Sequence, residues 1–519
     1  MEISIPGLSG VTRALLTILC ICLTLIWGIH KWNRRHKERL ASKFPGPTAL
    51  PFIGNVLSLL NKTQYGLLWF FTGHCEEYGS PSKFWLGSKL LVTITKPEDI
   101  QIILNSAKTL GKDAAFYKVA QAGIGEGLIT APLEKWKKTR KILTPSFAPR
   151  EITRFVPVMS ERATIIVQKM QHHCGSGVEV DFYQYFFTAS FDTICEASFG
   201  VQVDSQLGRS RDWAQVLFRV LPLFVERFFT PLFYMDYIYE KTSAAKVVKK
   251  DCDDFREFSK NIINERRKHI SKNYGNNIDD MNGAGVDCPK YLLDAIHNFQ
   301  EDSTYTYSET DKIDETVTFI LAGSETAAQT NCFVLLMLAI HPEYQEKVFE
   351  EQYNIFGEAD KPITPDDLDK MEYLEQVIKE TLRLFPAVPI FARYAEEDTK
   401  LTQNYVLPAG ATAVIYPFFT HYDTELWPEP KKFNPDNFTA EKMANRHNYA
   451  YIPFSGGARN CIGKKFAMLA MKTTLSIFIR QFRVSTTTKL EDIEVYMDVV
   501  LRCKCGWNMK LEQRINQKY

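Results

Sequence analysis

Uncharged, mostly apolar residues run without interruption from Ala14 to His30. That length lies at the short end of what spans a bilayer, and Arg13 extends it by snorkelling. The run closes on Trp27-Gly28-Ile29-His30-Lys31 with no small-x-small cleavage site. It therefore reads as an uncleaved anchor over 14–30, not as a signal peptide. Lys31, Arg34, Arg35, Lys37, Arg39 and Lys43 follow. Basic flanks stay cytosolic, which puts a short lumenal tail at 1–13 and everything after the anchor in the cytosol. Phe44-Pro45-Gly46-Pro47, Pro51 and Gly54 complete a basic, extended elbow over 31–55.

Beyond the elbow, helical spacing dominates. Residues 311–340 read as one buried helix, apolar through its middle and stopped at His341-Pro342. Leu368–Leu384 reads as a second helix, stopped before Pro386, and Phe466–Phe478 as an amphipathic third. Tyr405–Tyr416 reads as two short strands around Pro408-Ala409-Gly410. The polar stretch Ser271–Asp287 reads as a surface loop. The fold class that results is mainly α with small β-sheets: one large domain over 56–519 behind one N-terminal transmembrane helix.

Composition narrows the function. A length of 519 residues is a soft prior of about three domains, yet no linker or repeat divides the chain. With 62 basic against 61 acidic residues, no overall field draws the protein to nucleic acid. The eleven cysteines are scattered and form no Cys-x-x-Cys pair, which argues against a disulfide framework or a zinc ribbon.

One cysteine has unusual neighbours. In Phe454-Ser455-Gly456-Gly457-Ala458-Arg459-Asn460-Cys461-Ile462-Gly463 it sits among glycines, just before an amphipathic helix. Glycines let the backbone approach a bulky partner, and free N–H groups at a helix start favour thiolate over thiol. Arg459 adds a cation suited to a carboxylate. The segment reads either as a nest for a thiolate metal ligand or as a glycine-rich loop with a structural cysteine.

This segment matches Phe-x-x-Gly-x-Arg-x-Cys-x-Gly, the haem-binding signature of the cytochrome P-450 (haem-thiolate monooxygenase) family, which the chain resembles from anchor to tail. The resemblance implies the P-450 fold around haem b, with Cys461 as the axial thiolate and Phe454, Arg459 and Gly463 in the cofactor loop. Glu380-Thr381-Leu382-Arg383 resembles the family's Glu-x-x-Arg, a structural lock. Phe433-Asn434-Pro435-Asp436-Asn437-Phe438 resembles its next element but carries Asn437 where arginine is usual, so an amide hydrogen bond should replace an ion pair there. Trp136-Lys137-Lys138-Thr139-Arg140 resembles Trp-x-x-x-Arg. The resemblance assigns Trp136, Arg140, Arg393 and Arg459 to the haem propionates. Trp136 also reads as an ordinary packing aromatic.

Ala322-Gly323-Ser324-Glu325-Thr326, inside the buried helix, resembles the family's acid–alcohol segment. An acid and an alcohol in an apolar helix are costly unless paired or wet. Gly323 should loosen the helix, and Thr326 should bond back to a carbonyl one turn earlier. The resemblance gives Glu325 and Thr326 the relay of protons to bound dioxygen; a satisfied kink is the other reading. Ala322 stands where some animal fatty-acid hydroxylases have a glutamate esterified to haem, so the haem here should not be covalently attached.

Gly123-Ile124-Gly125-Glu126-Gly127 lacks the dinucleotide spacing, and no such fingerprint occurs elsewhere. NADPH should act only through a flavoprotein reductase, with cytochrome b5 as a further donor. Lys137, Lys138, Arg140, Lys141, Lys464 and Lys465 read as the reductase-docking face or as a solvated cationic face. Phe228–Met235 reads as core or as a loop dipping into the membrane. Phe116, Phe319, Ala322, Val388 and Phe391 are candidate walls of a substrate pocket suited to an apolar molecule such as a fatty acid, terpenoid, steroid or xenobiotic.

In style the chain is similar to microsomal animal members, and closest to insect relatives of the fatty-acid ω-hydroxylase clan. The implied location is the endoplasmic reticulum membrane. The same fold also hosts reductase-independent isomerases and dehydratases of peroxides. A non-catalytic haem or ligand carrier is a third reading.

Overall fold

Ser308 opens the longest buried helix of the protein. Its hydroxyl accepts from the N–H of Asp311, whose carboxylate accepts in return from the N–H of Ser308, a reciprocal cap. The helix runs Glu309–Ile340 and ends where His341 precedes Pro342. The computed structural model describes residues 10–60, 62–274, 291–297, 307–357 and 361–514. Within them the fold is helix-rich with small sheets, as the periodicity implies.

Most of the core wraps this central helix, which packs against Tyr183–Phe199, Glu372–Leu384 and Lys464–Gln481, with Val156–Met170 packed on the first and last of these. Gly323 belongs to that packing. A Cβ there would meet Ile194 Cγ1 at 2.7 Å, so glycine lets helix Tyr183–Phe199 approach. The central helix is unbroken through Gly323, which corrects the expectation that this residue loosens it.

A second, smaller core surrounds a four-stranded sheet. Its order is Ser82–Leu86, Lys89–Ile94, Thr412–Ile415, Phe391–Tyr394. Lys89–Ile94 and Thr412–Ile415 run parallel, and the edge strand carries Arg393 opposite Ala413. The two short strands expected over 405–416 are Val406–Leu407 and Thr412–Ile415, and they have different partners: Val406–Leu407 pairs with Thr399–Lys400.

Three further local readings change. Helix Leu368–Leu384 is two helices, Pro365–Asp369 and Glu372–Leu384, parted where Met371 leaves helical geometry and buries completely. Residues 271–274 end helix Ser243–Tyr274 and are not loop, and the rest of the polar stretch lies outside the described residues. The basic residues after His30 continue helix Gly10–Ala41, so the extended elbow begins only at residue 42. That elbow packs on the sheet: Lys83 N–H donates to Pro45 O at 2.8 Å, and Asn55 N–H to Trp85 O at 2.6 Å.

Among the described residues no helix is long and apolar enough to cross a membrane. Helix Gly10–Ala41 does leave Leu15, Ile18, Leu19, Ile21, Leu25, Ile29 and Trp32 exposed. Its basic end reaches the body, where Lys37 Nζ donates to Gly410 O at 2.7 Å and His36 meets Asp398 at 2.8 Å.

Candidate active site

The loop from Phe454 to Gly463 is held by its own backbone. Cys461 N–H donates to Phe454 O at 2.9 Å, and Asn460 N–H to Gly457 O at 3.2 Å. Gly457 has φ +66°, and a Cβ there would fall 1.8 Å from Leu104 O, so only glycine fits. Ser455 also takes positive φ, at 59°. Cys461 opens to solvent on its free side while protein crowds its other sides. That crowding raises its thiol pKa. The N–H groups of Gly463 and Lys464 and the charges of Arg140 and Lys464 oppose the rise.

Arg459 lies over the Trp136 ring, 4.3 Å from its centroid. Its Nε, Nη1 and Nη2 are buried and have no hydrogen-bond partner. Burial, with Arg393 close by, depresses its pKa to about 10. Arg393 is buried too, and its Nη2 donates to Ser455 Oγ at 3.1 Å. Two neighbouring guanidiniums, one wholly unpaired, are costly to bury unless an anion joins them. The residues therefore fit an acidic cofactor beside a single accessible thiol.

Arg140 Nη1 and Nη2 donate to Asn460 O and Oδ1 at 2.8 and 2.7 Å. Those donors clamp the residue before Cys461, so Arg140 braces the cysteine loop. Reading the sequence missed Lys112, whose Nζ lies 4.3 Å from the ring centroid of Tyr117, in the loop with Phe116, and donates to Ile129 O. Burial and the charges of Arg393 and Arg459 drive the Lys112 pKa well down. Only its place between those arginines marks Lys112, and no local motif does.

On the central helix, Ala322 and Thr326 are solvent-accessible although most of the helix is buried. Thr326 Oγ1 donates to Ala322 O at 2.7 Å, the back-bond its sequence position suggests. Glu325, one position earlier, is engaged elsewhere. Its carboxylate accepts from Tyr183 OH and from Gln329 Nε2 at 2.5 Å, and it pairs ionically with Arg502 Nη2 at 2.9 Å. Arg502 Nε also meets Asp498 Oδ2 at 2.9 Å, and the four charged or phenolic groups are buried. Burial lifts the Asp498 carboxyl to about 7. Glu325 thus sits in a buried polar network.

The candidate pocket walls divide. Phe391 and Val388 are half-buried, and Phe391 lies 5.2 Å from the Arg393 guanidinium. Phe116 packs near Phe228 and Tyr234. Phe319 is buried and stacks on Phe147 with centroids 5.6 Å apart. In the segment 228–235, Leu232 and Met235 are exposed.

The loop rests on a separate lock. Arg383 Nε and Nη2 each donate to Glu380 at 2.8 Å, with both side chains wholly buried. The remaining donors reach His421 O, Pro430 O and Lys432 O. Glu380 Oε1 also accepts from Asn437 Nδ2 at 3.2 Å. His421 Nε2 accepts from the N–H of Ile452, which carries the lock to the start of the cysteine loop. Burial, then Arg383, depresses the His421 pKa to about 3, so its ring is neutral and able to accept.

A family model described as Cytochrome P450 matches residues 44–504. The chain belongs to the cytochrome P450 family. It is 32% identical to Cytochrome P450 4g1 of Drosophila melanogaster over 93% of this chain and 91% of that one. It is 32% identical to Cytochrome P450 4c21 of Blattella germanica over 94% and 96%. Cytochrome P450 4V2 of Mus musculus is 34% identical over 98% and 95%. The protein is therefore a P450 monooxygenase, an oxidoreductase that uses thiolate-ligated haem b.

The glycine run 123–127 has a structural role in this P450. A Cβ on Gly125 would fall 2.1 Å from Asp314 Oδ1, and one on Gly127 2.1 Å from Thr318 Oγ1. Glu126 N–H donates to Asp314 at 2.7 Å and Leu128 N–H to Glu315 at 2.9 Å. The run latches its loop onto acids of the central helix.

Proposed function

We propose that this P450 inserts one oxygen atom from O₂ into an apolar small molecule, with electrons passed from NADPH through a flavoprotein reductase. The observation that carries the site assignment is the Arg459 guanidinium, buried over Trp136 without a partner, in the loop that ends at Cys461. In this reading Cys461 would supply the thiolate that holds the iron. Arg459 and Arg393 would take the propionates, with Trp136 under Arg459, and Phe454 and Gly463 would flank the thiolate. Haem so held supplies dioxygen binding and activation, and thiolate donation favours O–O cleavage.

The chain's own groups do the rest. Thr326 presents its hydroxyl among the accessible residues of the central helix, beside Ala322, and orients a proton donor there. Glu325 refills that donor only when its carboxylate leaves Arg502, Tyr183 and Gln329. Val388, Phe391 and Phe116 favour an apolar substrate. Printed names of the relatives specify no substrate, and fatty acids, terpenoids, steroids and xenobiotics share the chemistry.

The chain is further proposed to be anchored in the endoplasmic reticulum membrane by residues 14–30. The exposed apolar side chains of helix Gly10–Ala41 and the basic turns that follow support this. Lys137, Lys138, Lys141, Lys464 and Lys465 offer the reductase a cationic face, and cytochrome b5 a second use of it. Alkaline extraction should leave the full chain in microsomes and release a chain starting at residue 42.

The ferrous CO complex tests the ligand. It should show the long-wavelength Soret band of thiolate ligation, and Cys461→Ala should abolish it; an unchanged band would overturn the assignment. NADPH oxidation with reductase, O₂ and a lipid panel tests the reaction. Product from a hydroperoxide, with none when electrons are supplied, would instead favour the isomerase reading.

A further inference from the structure

Cys503 and Cys505 lie outside the site described above. Cys503 ends the strand Val500–Cys503, one residue after Arg502, and is buried; Cys505 is exposed on the turn that follows. Both are free thiols, and their sulfur atoms stand 2.9 Å apart. Gly506, at φ +73°, turns the chain so that the next residue, Trp507, buries against Tyr183. The two sulfurs are thus held face to face from a buried strand end and an open turn.

The surroundings set their reactivities apart. The hydrogen bond from Cys503 pulls the Cys505 thiol down to about 7, against burial and the carboxylates of Glu494 and Asp492. The same bond, burial and Asp181 push the Cys503 thiol far up. Lys504, between them, is paired with Glu494 at 2.5 Å. One accessible thiolate beside one buried resolving thiol is the arrangement that thiol–disulfide exchange needs.

We propose that Cys503 and Cys505 form a reversible redox pair that reacts with small-molecule disulfides of the glutathione class. The Cys505 thiolate attacks one sulfur of the disulfide, forming a mixed disulfide and expelling one thiolate. Cys503 then gives up its proton and attacks the Cys505 sulfur, forming the Cys503–Cys505 bond and expelling the second thiolate. Two protein thiols are oxidised to one disulfide, and the small disulfide is reduced to two thiols, which take up the two protons.

Trypsin makes the test direct, because Lys504 lies between the two cysteines. The full haem-loaded chain is equilibrated with reduced and oxidised glutathione, alkylated and digested. The pair predicts a peptide Cys503–Lys504 joined to Cys505–Lys510 by a bond that dithiothreitol breaks. In Cys503→Ser, glutathione should remain on Cys505. In Cys505→Ser, whose change is exposed, Cys503 should stay unmodified. At pH 7 Cys505 should react about threefold faster than an ordinary exposed thiol, its larger thiolate fraction being offset by weaker nucleophilicity. Glutathione persisting on Cys505 of the unmutated chain, or both thiols unmodified under oxidising buffer, would overturn the proposal.

Discussion

Arg383 and Arg459 are both buried, both lie near the cysteine loop and both stand against a tryptophan, yet they are opposites. Arg383 donates to Glu380 through two nitrogens and to three carbonyls, while every nitrogen of Arg459 lacks a partner. A buried cation with all its donors used is finished structure. One with none used is stable only because something outside the chain completes it. The lock holds the loop, and the loop offers the unfinished charge.

The comparison breaks hardest at the lock. Arg383→Ala leaves Glu380 buried without its guanidinium, and removing one partner of such a pair costs about 3–5 kcal/mol. Chemical denaturation of the apoprotein should show that loss; a loss below about 1 kcal/mol would mean the pair is not what holds the loop.

A milder break lies at Glu315, which burial raises to about 8. Its folded pKa exceeds its unfolded value near 4.5, so its contribution to stability is present below about 4.5 and lost as pH rises to about 8. Glu315→Gln should flatten the stability–pH curve across that window. An unchanged slope in thermal melts at several pH values would remove Glu315 from the account.

The smallest expected effect is at Asn437. Its amide is one of several donors to Glu380, so Asn437→Ala should cost about 1.5 kcal/mol and leave haem binding unchanged. A loss as large as that of Arg383→Ala would make the amide, not the guanidinium, the centre of the lock.

Legibility in the sequence followed sequence distance. The central helix is plain in the sequence because its apolar run and its stop at Pro342 are local; its cap at Ser308 emerges only in the structure. The Glu380–Arg383 pair was readable for the same reason, three residues apart on one helix. The two strands within 405–416 were readable, but their partners were not, because a turn signal says nothing about residues 89–94, 391–394 and 399–400. The setting of Glu325 was less legible still. Its partner Arg502 arrives from a strand near the C-terminus, and no spacing announces it. Arg140 stands at the motif's position, but its neighbour Asn460, which captures its donors, is set by folding.

The most direct test of the central claim is haem titration of the Arg459→Gln apoprotein alongside its denaturation curve. If Arg459 awaits an anionic group, the apoprotein should be as stable as the unmutated chain or more so, because an unpaired buried charge is gone, while haem affinity falls about tenfold or more. Lost apoprotein stability with unchanged haem affinity would contradict the account and make Arg459 a second lock.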